Sequence, residues 1–398
     1  MRYEFPEIRH LDDVRAAIAG RDEFIIAERD WGYVVNYMVS MTDTFPPVAT
    51  ELDAIRRECR GMLFHTDGKI MARRLHKFFN VNERDETQMH CIDLNRPHVI
   101  LEKLDGSMIT PVVTDAGIRW GTKMGITEVG MGAELFVAQH SKYEQLAREC
   151  ITRGMTPIFE WCSRKQRIVI DYPEDRLVLI AIRHNVTGEY VGYADLLEWG
   201  QVHGIDVVRA YAGTVANMEN LIAETRASEG MEGWIIRFDD GHMLKIKGDW
   251  YVRIHKAKDS LTLEKNVVYL LINEKMDDVK SFMLDADRHR VEAFETDFWI
   301  GINDAVQTYE RYYQTVLASG LDRKRYAQEW MPTIAKQDSF APQFVFSRFN
   351  GKDAREIVVD QIKKNTGTQT NIGTQAKIDS VRNLWGGHRW TYYFEGDE

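Results

Sequence analysis

Apolar residues follow a period of two over most of the first 255 positions and a helical period after them. Alternation with β-rich composition predicts strands over 23–27, 31–37, 98–101, 108–113, 117–123, 156–161, 167–170 and 177–182. Thr66-Asp67-Gly68-Lys69 predicts a hairpin turn between the run ending at Phe64 and the run from Ile70. Asp239-Asp240-Gly241 predicts a second, joining 232–238 to 242–247. Helical spacing predicts helices over 11–18, 132–153, 193–204 and 218–228. The face of the 132–153 helix would include Leu135, Phe136, Tyr143 and Leu146. Beyond about residue 260 alternation fades, and long helices are expected over 285–318, 322–336 and 352–365. Val291, Phe294, Phe298, Ile300, Ile302 and Tyr309 supply the apolar face of the first, and the polar stretch 365–370 reads as a loop. The expected architecture is α+β: a domain of antiparallel sheets and helices over 1–255, then an all-helical domain over 256–398.

A chain of 398 residues makes two domains the natural expectation. A net charge of −10 argues against a protein that coats polyanions over its whole surface, but leaves room for a basic cleft. Cys59, Cys91, Cys150 and Cys162 show no Cys-x-x-Cys spacing, so neither a zinc site nor a disulfide framework is indicated. With no basic-then-apolar leader and no apolar run of membrane-spanning length, a cytoplasmic protein is expected; it is also expected to be a monomer.

The chemistry-bearing residues sit at strand ends. Lys103 closes an apolar strand just before an Asp105-Gly106 turn, where a lysine can face a cleft and act as a nucleophile. The same stretch also reads as a surface lysine beside an ordinary turn. Arg60 and Lys77 flank the first hairpin, and Lys123 ends the 117–123 strand. Glu160 lies inside an apolar run, where a carboxylate is costly unless paired or bound. Glu232 opens one strand of the second hairpin, and Lys245 and Lys247 share one face of the other. Two like charges on one face call for an anion between them.

The order Lys103-x-Asp105-Gly106-Ser107, Phe159-Glu160, Glu232-Gly233, Lys245-Ile246-Lys247 resembles that of the covalent nucleotidyltransferases, the ATP-dependent ligases and mRNA capping enzymes. Glu58-Cys59-Arg60-Gly61, Lys77-Phe78-Phe79-Asn80, Lys245 to Tyr251 and Glu292-Ala293-Phe294-Glu295-Thr296 resemble the RNA ligase 1 family, the tRNA-repair ligases of T-even bacteriophages. That resemblance implies an ATP-grasp-like adenylyltransferase domain, and ATP with Mg²⁺ (Mn²⁺ substituting) as cofactors. It implies single-stranded RNA ends, such as cleaved tRNA, as substrate. Lys103 would carry AMP, with its pKa depressed by Lys245, Lys247 and Mg²⁺. Arg60, Lys77 and Lys123 would meet the nucleotide, Glu160 the ribose, and Lys245 and Lys247 the α-phosphate. Glu232 would support a metal, and Asp277-Asp278 matches an acidic pair tied to a second one. Those two acids also read as helix-capping residues. The chain departs from the family where Val35 replaces the first tyrosine of a Tyr-Asn-Tyr stretch, leaving Tyr37 as the candidate aromatic contact. A DNA ligase or capping enzyme is the alternative, and it would carry an oligonucleotide-binding barrel after Lys247.

Overall fold

In a computed structural model, residues 4–41, 43–213, 217–283, 285–368 and 371–392 are described. The chain divides into two compact units, one up to Val252 and one from Arg253 onward.

The first unit contains three four-stranded sheets. Strands β1 (Phe24–Arg29), β2 (Gly32–Tyr37), β3 (Met62–Phe64) and β4 (Ile70–Ala72) pair in that order. The next strands in sequence are β5 (Phe79–Asn80), β6 (His98–Lys103), β7 (Ser107–Thr114), β8 (Gly117–Gly121), β9 (Met155–Cys162), β10 (Arg176–His184), β11 (Gly233–Phe238) and β12 (Met243–Lys247). They form one sheet in the order β10-β9-β7-β8 and another in the order β5-β12-β11-β6. The β5–β12 pair is parallel; the other pairings are antiparallel. Both expected hairpins form.

A buried charge network ties the sheets together. The helix Glu51–Glu58 begins in a capping box, in which Thr50 and Asp53 satisfy each other's backbone N–H groups, and it carries Glu58 into the core. Glu58 Oε2 accepts from Arg73 Nε at 3.0 Å and Arg183 Nη1 at 2.8 Å, and Oε1 accepts from Arg183 Nη2 at 2.9 Å. Arg73 also donates to the carbonyls of Pro6 and Val186, and Arg183 to that of Gly188. All three side chains are buried.

Local competition overturns two of the expectations. The 132–153 helix is two helices, Glu128–Ala138 and Lys142–Thr152. His140 Nδ1 lies 2.7 Å from the Phe136 carbonyl and its ring stacks on Phe136 at 4.2 Å. The ring thus takes the acceptor that a continuing helix would give to the His140 N–H. Leu135 is exposed rather than part of the apolar face. Residues 167–170 form no strand, because the N–H groups of Val169 and Ile170 both donate to Asp105 Oδ2, each at 2.7 Å.

The second unit is helical apart from a two-stranded pairing of Gly367–Thr368 with Asn371–Ile372. Its 34-residue helix Asp285–Ala318 buries Val291, Phe294, Phe298, Ile302 and Tyr309 against Phe344, Ile357 and Trp385, while Ile300 is exposed. In place of one 322–336 helix the chain forms Arg323–Arg325, a wider turn over Tyr326–Trp330, and Met331–Gln337. Asn365 and Thr366 end the helix Ala354–Thr366 rather than opening a loop; Gln369 and Thr370 lie outside the described residues. After Lys247 the chain enters the helix Asp249–Leu261, and no barrel follows among the described residues.

Candidate active site

The register of β6, β11 and β12 builds the site in rows. Gly233 pairs with Lys103 on one side and Lys247 on the other; Ile235 pairs with Leu101 and Lys245 in the next row. Residues two apart share a face, so both lysines of β12 and the last residue of β6 project together. Gly233 permits this close approach. Its φ is +148°, and a Cβ there would lie 1.9 Å from the Ile246 carbonyl oxygen. Glu232 precedes it and is buried, with Oε1 2.7 Å from Lys103 Nζ and 2.9 Å from Lys247 Nζ. One carboxylate therefore orients both ammonium groups.

The turn after Lys103 is pinned from below. Asp105 is buried, and its carboxylate accepts from Tyr251 Oη at 2.6 Å as well as from Val169 and Ile170. Tyr172 Oη accepts from the Asp105 N–H at 2.9 Å. Burial raises the pKa of both phenols, so each keeps its proton. A Cβ on Gly106 would lie 2.3 Å from the Trp161 carbonyl oxygen, so only glycine lets this turn press against β9. That contact brings Glu160 beside Lys103.

A cavity of about 600 Å³ opens over this face, lined from the β10-β9-β7-β8 and β5-β12-β11-β6 sheets. Arg60, Lys103, Lys123, Glu160, Lys245 and Lys247 line it. Burial raises the Glu160 carboxyl to about 7 against the pull of Lys103. Burial, then Lys77 and Lys103, lowers Lys245 to about 7. Arg60 Nη1 is buried without a partner, its guanidinium 5.9 Å from the Phe78 ring centroid.

Lys77 and Tyr37 stand outside the cavity wall. Lys77 Nζ lies 4.9 Å from the Tyr37 ring centroid, and Lys123 Nζ 5.6 Å from it. Burial raises the Tyr37 pKa, but Lys77, Arg60 and Lys123 together outweigh it and lower the phenol overall. Val35 is a core residue, so the aromatic of this segment near the cations is Tyr37. Asp277 belongs to the second unit, in the helix Met276–Lys280, where it is exposed and 3.2 Å from Lys280 Nζ. No cluster of three or more His, Cys, Asp or Glu side chains able to hold a metal occurs among the described residues. Glu160 and Glu232 fit Mg²⁺ in the way phosphate-handling enzymes hold it, through one or two carboxylates with substrate phosphates completing the shell.

Reading the strands passed over Arg237. It lines the same cavity, is 4 % exposed, and leaves Nη1 without a partner. Its only signal was period two, which places it on the face of Gly233 and Ile235.

The titration of Lys245 has a measurable consequence. Near pH 7.5 a large part of it is neutral, and a polyphosphate favours the charged form. Nucleotide binding at that pH is expected to take up a proton, and affinity to fall as pH rises above 7. Calorimetry in buffers of different ionisation enthalpy measures the uptake. Lys245→Arg, which stays charged, should reduce it sharply; equal uptake in both proteins would show another group titrating.

Antiparallel sheets enclosing a cation-lined cleft around a carboxylate-paired lysine define the covalent nucleotidyltransferase class. The family model described as "RNA ligase" matches residues 58–251, and that described as "T4 RNA ligase 1, C-terminal domain" matches 258–371. A "Putative RNA ligase" of Thermovibrio ammonificans is 32% identical over 279 residues, covering 68% of this chain and 70% of the relative. RNA ligase 1 of bacteriophage TS2126 is 22% identical over 78% of this chain and 80% of its own. An archaeal ATP-dependent RNA ligase structure is similar with a TM-score of 0.45 at 12% identity, over 96% of each chain. The chain belongs to the RNA ligase 1 family and is an ATP-dependent RNA ligase.

Proposed function

We propose that the chain joins 5′-phosphate to 3′-hydroxyl ends of single-stranded RNA in three steps. The Lys103 amine attacks the α-phosphorus of ATP, forming a P–N bond while the α–β P–O bond breaks and pyrophosphate leaves. A 5′-phosphate oxygen of RNA then attacks the AMP phosphorus, breaking the P–N bond and freeing Lys103. Last, a 3′-hydroxyl attacks the activated RNA 5′-phosphorus; the phosphodiester forms and AMP departs. Cleaved tRNA whose ends carry a 5′-phosphate and a 3′-hydroxyl is the substrate we assign.

The observation that carries the reading is the single carboxylate oxygen of Glu232 holding both Lys103 and Lys247 at the cleft. Glu232 fixes the Lys103 ammonium in place, and its proton must leave before attack. Lys245 and Lys247 stand on the same strand face, where fixed positive charge stabilises the phosphoryl oxygens in each in-line displacement. Glu160, its carboxyl raised by burial to about 7, is divided between acid and carboxylate near neutral pH, and either form can hydrogen-bond a ribose hydroxyl. Mg²⁺ would be held by Glu232 and Glu160 with nucleotide phosphates, and would neutralise phosphate charge there.

The test is incubation with labelled ATP and Mg²⁺, followed by 5′-phosphorylated single-stranded RNA beside a nicked DNA duplex. Joined RNA with the nick untouched supports the reading; a sealed nick with inert RNA overturns it. We assign adenylate formation to 1–255 and substrate choice to 256–398. A chain ending near residue 260 is therefore expected to label itself with AMP at near full-length rate while its RNA preference changes. A folded truncated chain that takes up no AMP would contradict this division.

A further inference from the structure

Two cations of the cavity, Arg60 and Lys123, come from different sheets and meet through their backbones. Gly61 follows Arg60 just before β3, and Gly121 ends β8 two residues before Lys123. The φ of Gly61 is +79°, and a Cβ there would lie 2.7 Å from Lys123 Cα, so glycine lets the two segments touch. Lys123 rides on a tight turn in which Thr122 and Gly125 each donate a backbone N–H to the other's carbonyl at 2.9 Å. One side chain holds both segments. Arg74, which follows β4 and is buried, donates from Nη1 to the Gly61 carbonyl at 2.8 Å and from Nη2 to the Gly121 carbonyl at 3.3 Å. Its Nε donates to Thr110 Oγ1 at 2.8 Å, and Thr110 is the β7 partner of Gly121. Arg74 meets no carboxylate among the described residues, unlike Arg73 beside it, which pairs with Glu58. Burial, then the neighbouring Arg60, lowers the Arg74 pKa to about 9, which leaves it charged at neutral pH. A buried cation beside a second cation is a costly way to hold two carbonyls. The planar fork explains the choice, because its fixed N–H directions reach three acceptors on two sheets at once.

We propose that Arg74 is a positioning residue for nucleotide binding: its fork clamps the Arg60 and Lys123 segments together, so that both side chains face the cavity before ATP arrives. The inference rests on the proposed binding of ATP in this cavity. Arg60 and Lys123 repel each other while the cavity is empty. The clamp meets that repulsion during folding, and the polyphosphate then finds its cations in place. Without the clamp the two segments separate, and the nucleotide must draw them back as it binds. Arg74 does not line the cavity and acts only through the two backbones it holds.

The experiment follows self-adenylation against ATP concentration in four full-length proteins: the natural chain, Arg74→Gln, Lys123→Ala and the double variant. Thermal melting of each nucleotide-free protein is measured beside it. KM is the quantity to read, because it does not change with the fraction of protein that is folded. Arg74→Gln should raise KM for ATP roughly 10- to 100-fold, the scale of misplacing a binding group by about 1 Å. The rate at saturating ATP, divided by the AMP taken up per chain, should change little. In the Lys123→Ala background the same substitution should raise KM clearly less, because one of the groups it positions is gone. An unchanged KM in Arg74→Gln, or an equal penalty in both backgrounds, overturns the proposal. A lowered melting temperature with unchanged KM assigns Arg74 a structural role and overturns it too. Arg74→Lys keeps the charge but loses the fork, so its KM should lie between those of the natural chain and Arg74→Gln; a natural KM would show that charge alone suffices and contradict the clamp. Should Arg74→Gln fail to fold, Arg74→Lys takes its place in both backgrounds, and a lysine variant that also cannot fold assigns Arg74 to the fold and overturns the proposal. If the natural chain takes up no AMP from ATP, the proposed function itself fails, which is a different result from failure at Arg74.

Discussion

Lys103→Ala is expected to abolish covalent AMP uptake, while the protein stays folded and still binds ATP. The side chain is partly exposed and its main partner is Glu232. Glu232 keeps Lys247 in the variant, so the buried carboxylate is not left unpaired. Losing Lys103 therefore removes the nucleophile without the penalty of an orphaned charge. Gel autoradiography with α-labelled ATP measures the uptake, and equilibrium dialysis the binding. The variant should also join RNA that already carries AMP on its 5′ end, since the last displacement does not use the lysine. Residual AMP labelling near the natural level would place the nucleophile elsewhere.

Glu58→Gln should strongly destabilise the first unit, costing about 3–5 kcal/mol. The variant leaves Arg73 and Arg183 buried against a neutral amide, with both guanidiniums still fixed by backbone carbonyls. Burial raises the Glu58 pKa, but Arg183 and Arg73 outweigh it and hold the carboxyl at about 2 against an ordinary 4.5. The sign of the pH effect follows. Above pH 4.5 the unfolded chain has released this proton as well, and the full contribution is present. As pH falls from 4.5 toward 2 the unfolded chain takes up the proton and the folded one does not. The natural protein therefore loses about 3 kcal/mol over that window, and Glu58→Gln should lose correspondingly less. Urea unfolding at pH 7 and pH 3.5 tests both statements. A loss under 1 kcal/mol at pH 7 would mean that the network is dispensable.

How much of this was legible in the chain depends on the range of the interaction involved. β11 and β12 were readable because alternation and an Asp-Gly turn are local, and with them came the shared face of Lys245 and Lys247. Glu160 stood out because a charge in an apolar run asks for a partner. The break at Gln139–Ser141 was hidden, since it depends on one histidine ring competing for a carbonyl four residues back. The apolar run 167–170 misled because its N–H groups serve Asp105, more than sixty positions earlier. The family resemblance gives Lys77 a contact with the nucleotide; in the structure Phe78 lines the cavity wall and Lys77 reaches Tyr37 and Phe45. The place of Arg237 on the cavity wall emerges only from the register of β11 with β6 and β12.

The most direct test of the account is a chase of isolated protein–AMP, freed of ATP, with 5′-phosphorylated single-stranded RNA. Joined RNA and release of the bound AMP are the expected result, because the lysyl adenylate holds all the activation the two later displacements need. Stable protein–AMP beside unchanged RNA would contradict the claim that Lys103 carries the nucleotide for RNA joining.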